Sequence, residues 1–101
     1  MQISADHIAY KKKIGTIGRR PVIELATTGG LHLVVSPDDD GTVETLGAGP
    51  HRAVARHIAK KRKPDMKITE LAKGDHVPEA AFKHLLPEWE GFTDQLRRAS
   101  K

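Results

Sequence analysis

The residues with the strongest chemical character are cations concentrated in residues 50–63. Six lysines and arginines and no acidic residue lie in this stretch, whereas the whole chain has 17 basic and 13 acidic residues. A local source of positive charge is typical of a surface that binds a polyanion. The candidate contact residues are Arg52, Arg56, Lys60, Lys61, Arg62 and Lys63.

A second basic group precedes this stretch. It comprises Lys11, Lys12 and Lys13 together with Arg19 and Arg20. If the turn between them lies beside residues 50–63, Lys11, Lys13, Arg19 and Arg20 would extend the same surface. The alternative is that these lysines protect and solvate the edge of a sheet, and the sequence does not place the two groups together.

Residue types that perform catalysis or bind metals show no suitable spacing. The chain has no cysteine, which excludes a thiolate nucleophile and a cysteine-based metal site. Ser36 and His32 would be about 13 Å apart on a strand, too far for a nucleophile–base hydrogen bond. His51 and His57 would point in different directions on a helix. We therefore predict no catalytic residue, no metal site, no cofactor and no enzyme activity.

Length and composition are typical of one domain spanning residues 1–101, with a mass of 11.1 kDa. No apolar run approaches the length of a membrane span, and the N-terminus lacks the pattern of a signal peptide. These features predict a cytoplasmic protein without a membrane partner, and they leave its oligomeric state open.

Residues 1–46 have the pattern of a β-meander. Alternating apolar residues separated by turn signals predict strands at 7–14, 21–27, 31–36 and 42–46. Lys12 falls on the apolar side of the first strand, which is typical of a sheet edge. In the third strand Leu31, Leu33 and Val35 are expected to face the core. Gly47 and Gly49 then indicate a flexible strand–helix joint rather than a phosphate-binding turn.

Residues 50–63 predict a helix that begins at Pro50 and ends before Pro64. Its apolar face (Val54, Ala55, Ile58, Ala59) can dock on the sheet, so that Arg52, Arg56, Lys60 and Lys63 point outward. The helix dipole accounts for cations in the last turn but not in the first. Arg52 and Arg56 are therefore the predicted diagnostic contacts.

Residues 64–101 predict a further strand and two helices. Residues 66–73 suit a fifth strand or a helical turn, and a strand is favoured. Pro78 and Pro87 each begin a short helix, the second with Trp89, Phe92 and Leu96 on one face. The predicted fold is α+β: a four- or five-stranded antiparallel meander packed against the basic helix, with two short C-terminal helices.

The charge distribution favours a small non-enzymatic protein that binds nucleic acid or regulates a nucleoprotein. The basic helix carries no Asn or Gln to read bases, so DNA or RNA would be bound with low specificity. Six neutralised phosphates would lower the logarithm of affinity by about 5 per decade of salt. The alternative is a protein-interaction module, an inhibitor or accessory subunit that docks its basic surface on an acidic protein. A phage- or plasmid-borne origin is left open.

Overall fold

The computed structural model describes residues 7–69 and 79–99, which form five strands and three α-helices. The strands are β1 (Ile8–Ile17), β2 (Arg20–Thr27), β3 (His32–Pro37), β4 (Val43–Gly49) and β5 (Lys67–Ile68). The helices are α1 (Arg52–Arg62), α2 (Glu79–Phe82) and α3 (Leu86–Ala99), with a 3₁₀ turn at Lys83–Leu85 before α3.

The strands form one antiparallel sheet in the order β4-β3-β2-β1-β5. This arrangement confirms the predicted α+β meander. Gly18 and Gly30 have positive φ in the turns that flank β2, a conformation that glycine adopts without steric cost. The favoured fifth strand is present at Lys67–Ile68, whereas residues 70–73 and the helix start at Pro78 lie outside the described residues.

Both faces of the sheet are covered. On one face Val34 and Leu46 pack with Ala55 and Ala59 of α1. On the other face Leu33, Val35 and Ala48 pack with Leu96 of α3. Leu33 and Val35 are buried as predicted and Leu31 packs against their cluster, while Val34 is as deeply buried on the opposite face. A helix on each face makes β3 apolar throughout instead of alternating.

Strand β4 and helix α1 approach each other at backbone distance. β4 continues to Gly49, and a Cβ atom added at Gly47 would lie 2.1 Å from the carbonyl oxygen of Ala55. At Gly49 it would lie 2.6 Å from Cγ1 of Val54. The glycines therefore allow close packing of helix on strand, and the expectation of a flexible joint is wrong.

Helix α3 lies against β4, and its residue Trp89 packs against two separate apolar clusters. Trp89 contacts the apolar cluster under α3 and also the cluster formed by Val54, Ile58 and Phe82. As a result α1 is enclosed between the sheet and the C-terminal helices. None of the helices within the described residues is long and apolar enough to cross a membrane.

Candidate functional site

The basic helix α1 buries one side and exposes a narrow stripe. Its buried apolar residues are the four predicted ones, Val54, Ala55, Ile58 and Ala59. Ala55 and Ala59 face the sheet, while Val54 and Ile58 face Phe82 and Leu86. Because the sheet and the C-terminal helices both cover α1, little of its surface remains for a partner. Its cations lie in different surroundings.

Two of the helix arginines bind a carboxylate inside the protein. Glu24 lies in the middle of β2 on the face that α1 covers, and it is 1% exposed. The Nε of Arg56 donates to its Oε2 at 2.6 Å. The Nε of Arg52 lies 3.7 Å from its Oε1. Burial of a charge is tolerated when it is paired and hydrogen-bonded, and Glu24 meets both conditions.

Tyr10 completes this polar cluster from β1. Its hydroxyl donates a hydrogen bond to Oε1 of Glu24, and the Arg52 guanidinium lies 5.6 Å from the centre of its ring. Burial, and after it the bond to Glu24, raises the pKa of Tyr10 to about 12. The buried ionic cluster, defined as Tyr10, Glu24, Arg52 and Arg56, thus joins β1, β2 and α1.

The outward placement predicted for Arg56 is wrong. Its residue exposure is 9%, and its guanidinium is directed at β2 rather than at solvent. The prediction placed Arg52, Arg56, Lys60 and Lys63 away from the apolar face of the helix. It did not foresee a carboxylate on the opposing strand. Arg52 remains about one-third exposed at its side chain while bound to the same carboxylate.

The cations near the C-terminus of α1 bind neighbouring segments. Lys60 Nζ donates to the carbonyl oxygens of Pro64 and Met66 at 3.1 and 2.5 Å, which holds the turn after the helix. Lys61 pairs with Glu90 of α3 at 3.1 Å. Arg62 pairs with Asp94 of α3 at 2.6 Å. Arg62 also donates to the main-chain oxygen of Glu90.

The positive charge of α1 is therefore partly compensated by residues remote in sequence, three carboxylates for its five cations. Glu24 neutralises part of the positive charge in the first turns of α1, and Glu90 and Asp94 neutralise part of the positive charge in its last turn. Sequence reasoning missed all three acidic residues. Their signal was indirect: a run of cations without local acids requires either an external partner or acidic residues elsewhere in the fold.

The exposed stripe of α1 borders a groove of about 630 Å³. Its basic lining residues are His57, Lys60 and Lys61 from α1 and Lys83 from the 3₁₀ turn. Leu86, Pro87 and Glu90 complete the lining. The His57 ring packs edge-on against Phe82 at 5.9 Å between ring centres, so it forms part of the apolar wall. This volume is within the range of ligand-binding clefts.

The second basic group is divided between two places. Lys11 and Lys13 pair across the strands with Leu25 and Ile23, whose side chains belong to the face opposite α1. Both lysines are exposed, as is Arg19 in the turn. Lys12 instead lies across from Glu24, on a stretch of β1 that β5 does not pair.

Arg20 behaves differently from its neighbour Arg19. It donates to the carbonyl oxygen of Ser36 at 3.2 Å and pairs with Glu44 at 3.5 Å. It also lines a cavity together with Lys63, just after α1. Arg20 of the second basic group therefore lies beside the end of the basic helix.

Within residues 7–69 and 79–99, no group of three or more His, Cys, Asp or Glu residues could hold a metal ion. Comparisons of the chain with protein-family models, curated proteins and solved structures found no match.

Proposed function

We propose that this protein is a non-enzymatic interaction module that binds an acidic segment of a protein partner in the groove between α1 and the start of α3. The observation that carries the proposal is the composition of the groove wall. The groove is lined by three lysines, one glutamate and the apolar residues Leu86 and Pro87. Acidic side chains of a partner would meet the lysines, and an apolar side chain would cover Leu86 and Pro87.

The internal pairing of α1 favours a protein partner over a nucleic acid at this surface. Phosphate contacts need exposed, uncompensated cations, but Arg56 is buried and Arg62 is bound to Asp94. A mixed apolar and basic groove is the usual form of a peptide-binding site.

Electrostatics would contribute mainly to the rate of association and to partner choice. Lys61 already pairs with Glu90, so an incoming carboxylate replaces an existing exposed ion pair. Exposed ion pairs contribute about 0–1 kcal/mol to stability, so replacing this pair costs little free energy. Lys83 has no side-chain partner among the described residues, so a carboxylate of the partner can bind it without displacing another group.

The test compares two double variants that change the charge equally. Lys61→Glu with Lys83→Glu reverses two groove cations, whereas Lys67→Glu with Arg98→Glu reverses two exposed cations elsewhere. Fluorescence anisotropy with a labelled peptide of alternating glutamate and leucine measures binding. We expect the first pair to weaken binding at least tenfold and the second to change it less than twofold. Equal losses in both double variants would contradict the groove as the site.

Nucleic-acid binding is the second candidate, and the exposed cations on β1 favour it. Lys11, Lys13 and Arg19 have no side-chain partner within the part of the chain that the structure describes. Three phosphate contacts would lower the logarithm of affinity for duplex DNA by about 2.7 per decade of salt, against about 5 for six contacts.

Labelled duplex DNA, single-stranded DNA and RNA of matched length, titrated at two salt concentrations, test this candidate. Loss of binding in Lys11→Glu with Lys13→Glu, together with retention in the groove variant, would support it. Absence of measurable binding to all three nucleic acids at low salt would exclude it.

A further inference from the structure

We propose that a small phosphate-type oxyanion binds in the cavity where Arg20, Lys63 and Arg97 converge. The cavity has a volume of about 170 Å³ and lies between the start of β2, the end of α1 and the last turn of α3. Asp38, Thr42, Val43 and Glu44 complete its lining. The site is separate from the groove of the proposed function and does not depend on it.

The first argument is the balance of charge around the cavity. Three cations line it, from three separate elements of the chain, and two carboxylates accompany them. Glu44 is the counter-ion for the two arginines, and the Asp38 carboxylate also accepts the N–H of Asp39 through Oδ1. Three cations and two carboxylates leave a surplus of one positive charge for a ligand.

The second argument is that the arginines are incompletely bound. Glu44 accepts from Arg20 Nη2 at 3.5 Å and from Arg97 Nη2 at 3.4 Å, both long for charge-assisted hydrogen bonds. The Nε atoms of both arginines are buried and have no hydrogen-bond partner. Buried donors without a partner are rare in proteins, and a bound anion is one way to satisfy them.

The third argument is Lys63. Its side chain makes no hydrogen bond or ion pair with the described residues, although it is half-buried beside the cavity. A primary amine held there adds a mobile donor to the two planar guanidinium groups. Arginine recognises oxyanions through paired N–H groups, and lysine binds phosphate as a point charge.

The size of the cavity fits one compact anion. A volume of 170 Å³ is more than five times the roughly 30 Å³ that one water molecule takes up in the liquid, so a single phosphate group has room in the cavity. A nucleic-acid strand or a folded partner would not enter. The ligand class is therefore inorganic phosphate or the phosphate group of a small monoester.

Isothermal titration calorimetry with inorganic phosphate and with a small phosphate monoester, at constant ionic strength, tests the site. Lys63→Ala should weaken phosphate binding at least tenfold, whereas Lys67→Ala, which removes an exposed lysine elsewhere, should change it less than twofold. Glu44→Gln removes the resident carboxylate and should strengthen binding several-fold. Melting temperatures of the variants without phosphate report on folding.

The two ligands distinguish the source of the phosphate group. Tighter binding of the monoester would assign the site to an organic phosphate, and equal or weaker binding would assign it to the free ion. No phosphate binding by the unmodified protein, or equal weakening by Lys63→Ala and Lys67→Ala, would overturn the proposal.

Discussion

Replacement of Arg56 by methionine tests whether the basic helix serves folding or binding. Methionine keeps the length and flexibility of the arginine stem but removes the guanidinium that reaches Glu24. A role in phosphate contact predicts lost affinity with unchanged stability. The buried ionic cluster predicts the reverse, because the variant leaves Glu24 charged, buried and short of one donor.

The magnitude follows from the degree of burial. Removing one partner of a buried ion pair costs about 3–5 kcal/mol. Here Arg52 and the Tyr10 hydroxyl stay beside the carboxylate, so we expect the lower end, about 3 kcal/mol. At roughly 4 °C or more per kcal/mol for a domain of this size, the melting temperature should fall by about 12 °C or more.

Urea denaturation followed by circular dichroism measures the effect. The midpoint should fall while the slope stays constant, since the surface exposed on unfolding hardly changes. Lys61→Met is the control, because its partner Glu90 forms an exposed pair expected to contribute less than about 1 kcal/mol.

A double variant separates the loss of the pair from the cost of an unpaired charge. Glu24→Leu with Arg56→Met replaces both buried charges by apolar groups of similar volume and should recover most of the lost stability. The reasoning would be refuted if Arg56→Met stayed within 1 kcal/mol of the unmodified protein. It would also be refuted if the double variant were less stable than Arg56→Met alone.

Two further predictions concern Tyr10 and the contact between α1 and β4. Tyr10 is the sole tyrosine, so ultraviolet absorbance of tyrosinate during an alkaline titration should show ionisation near pH 12 while the protein is folded, against 10.0 when unfolded. Because its folded pKa is raised, Tyr10 contributes stability below pH 10 that is lost as the pH rises toward 12, and Tyr10→Phe should abolish that part of the pH dependence. Gly47→Ala should destabilise the protein by at least about 2 kcal/mol in urea denaturation, since the added methyl group would meet the Ala55 backbone. Gly91→Ala is its control on an open helix surface and should stabilise the protein by about 0.5–1 kcal/mol, and equal effects at both glycines would contradict the close contact.

Much of the fold could be predicted from local patterns. Alternation and turn residues located the first four strands, and the favoured fifth strand is present at Lys67–Ile68. Proline positions and apolar spacing located α1 and α3. These signals are local, because a strand or helix must place its apolar residues on one side at its own period.

The sheet could not be recognised as two-sided from its strands alone. The pattern of β3 does not show which helix covers each side: Val34 packs under α1, whereas Leu33 and Val35 pack with Leu96 of α3, from the end of the chain. The role of Gly47 could not be predicted from the sequence either. The absence of a side chain there matters only because the backbone of Ala55 packs against it.

The α+β class, the element order and the concentration of positive charge in residues 50–63 follow from local sequence patterns and composition. The direction in which that charge points follows from tertiary packing. Glu24, Glu90 and Asp94 are 32, 29 and 32 positions from Arg56, Lys61 and Arg62, and no periodicity links them in the chain. Charge is counted along a sequence, but its compensation depends on distance in space, and the packing of α1 against β2 and α3 sets that distance.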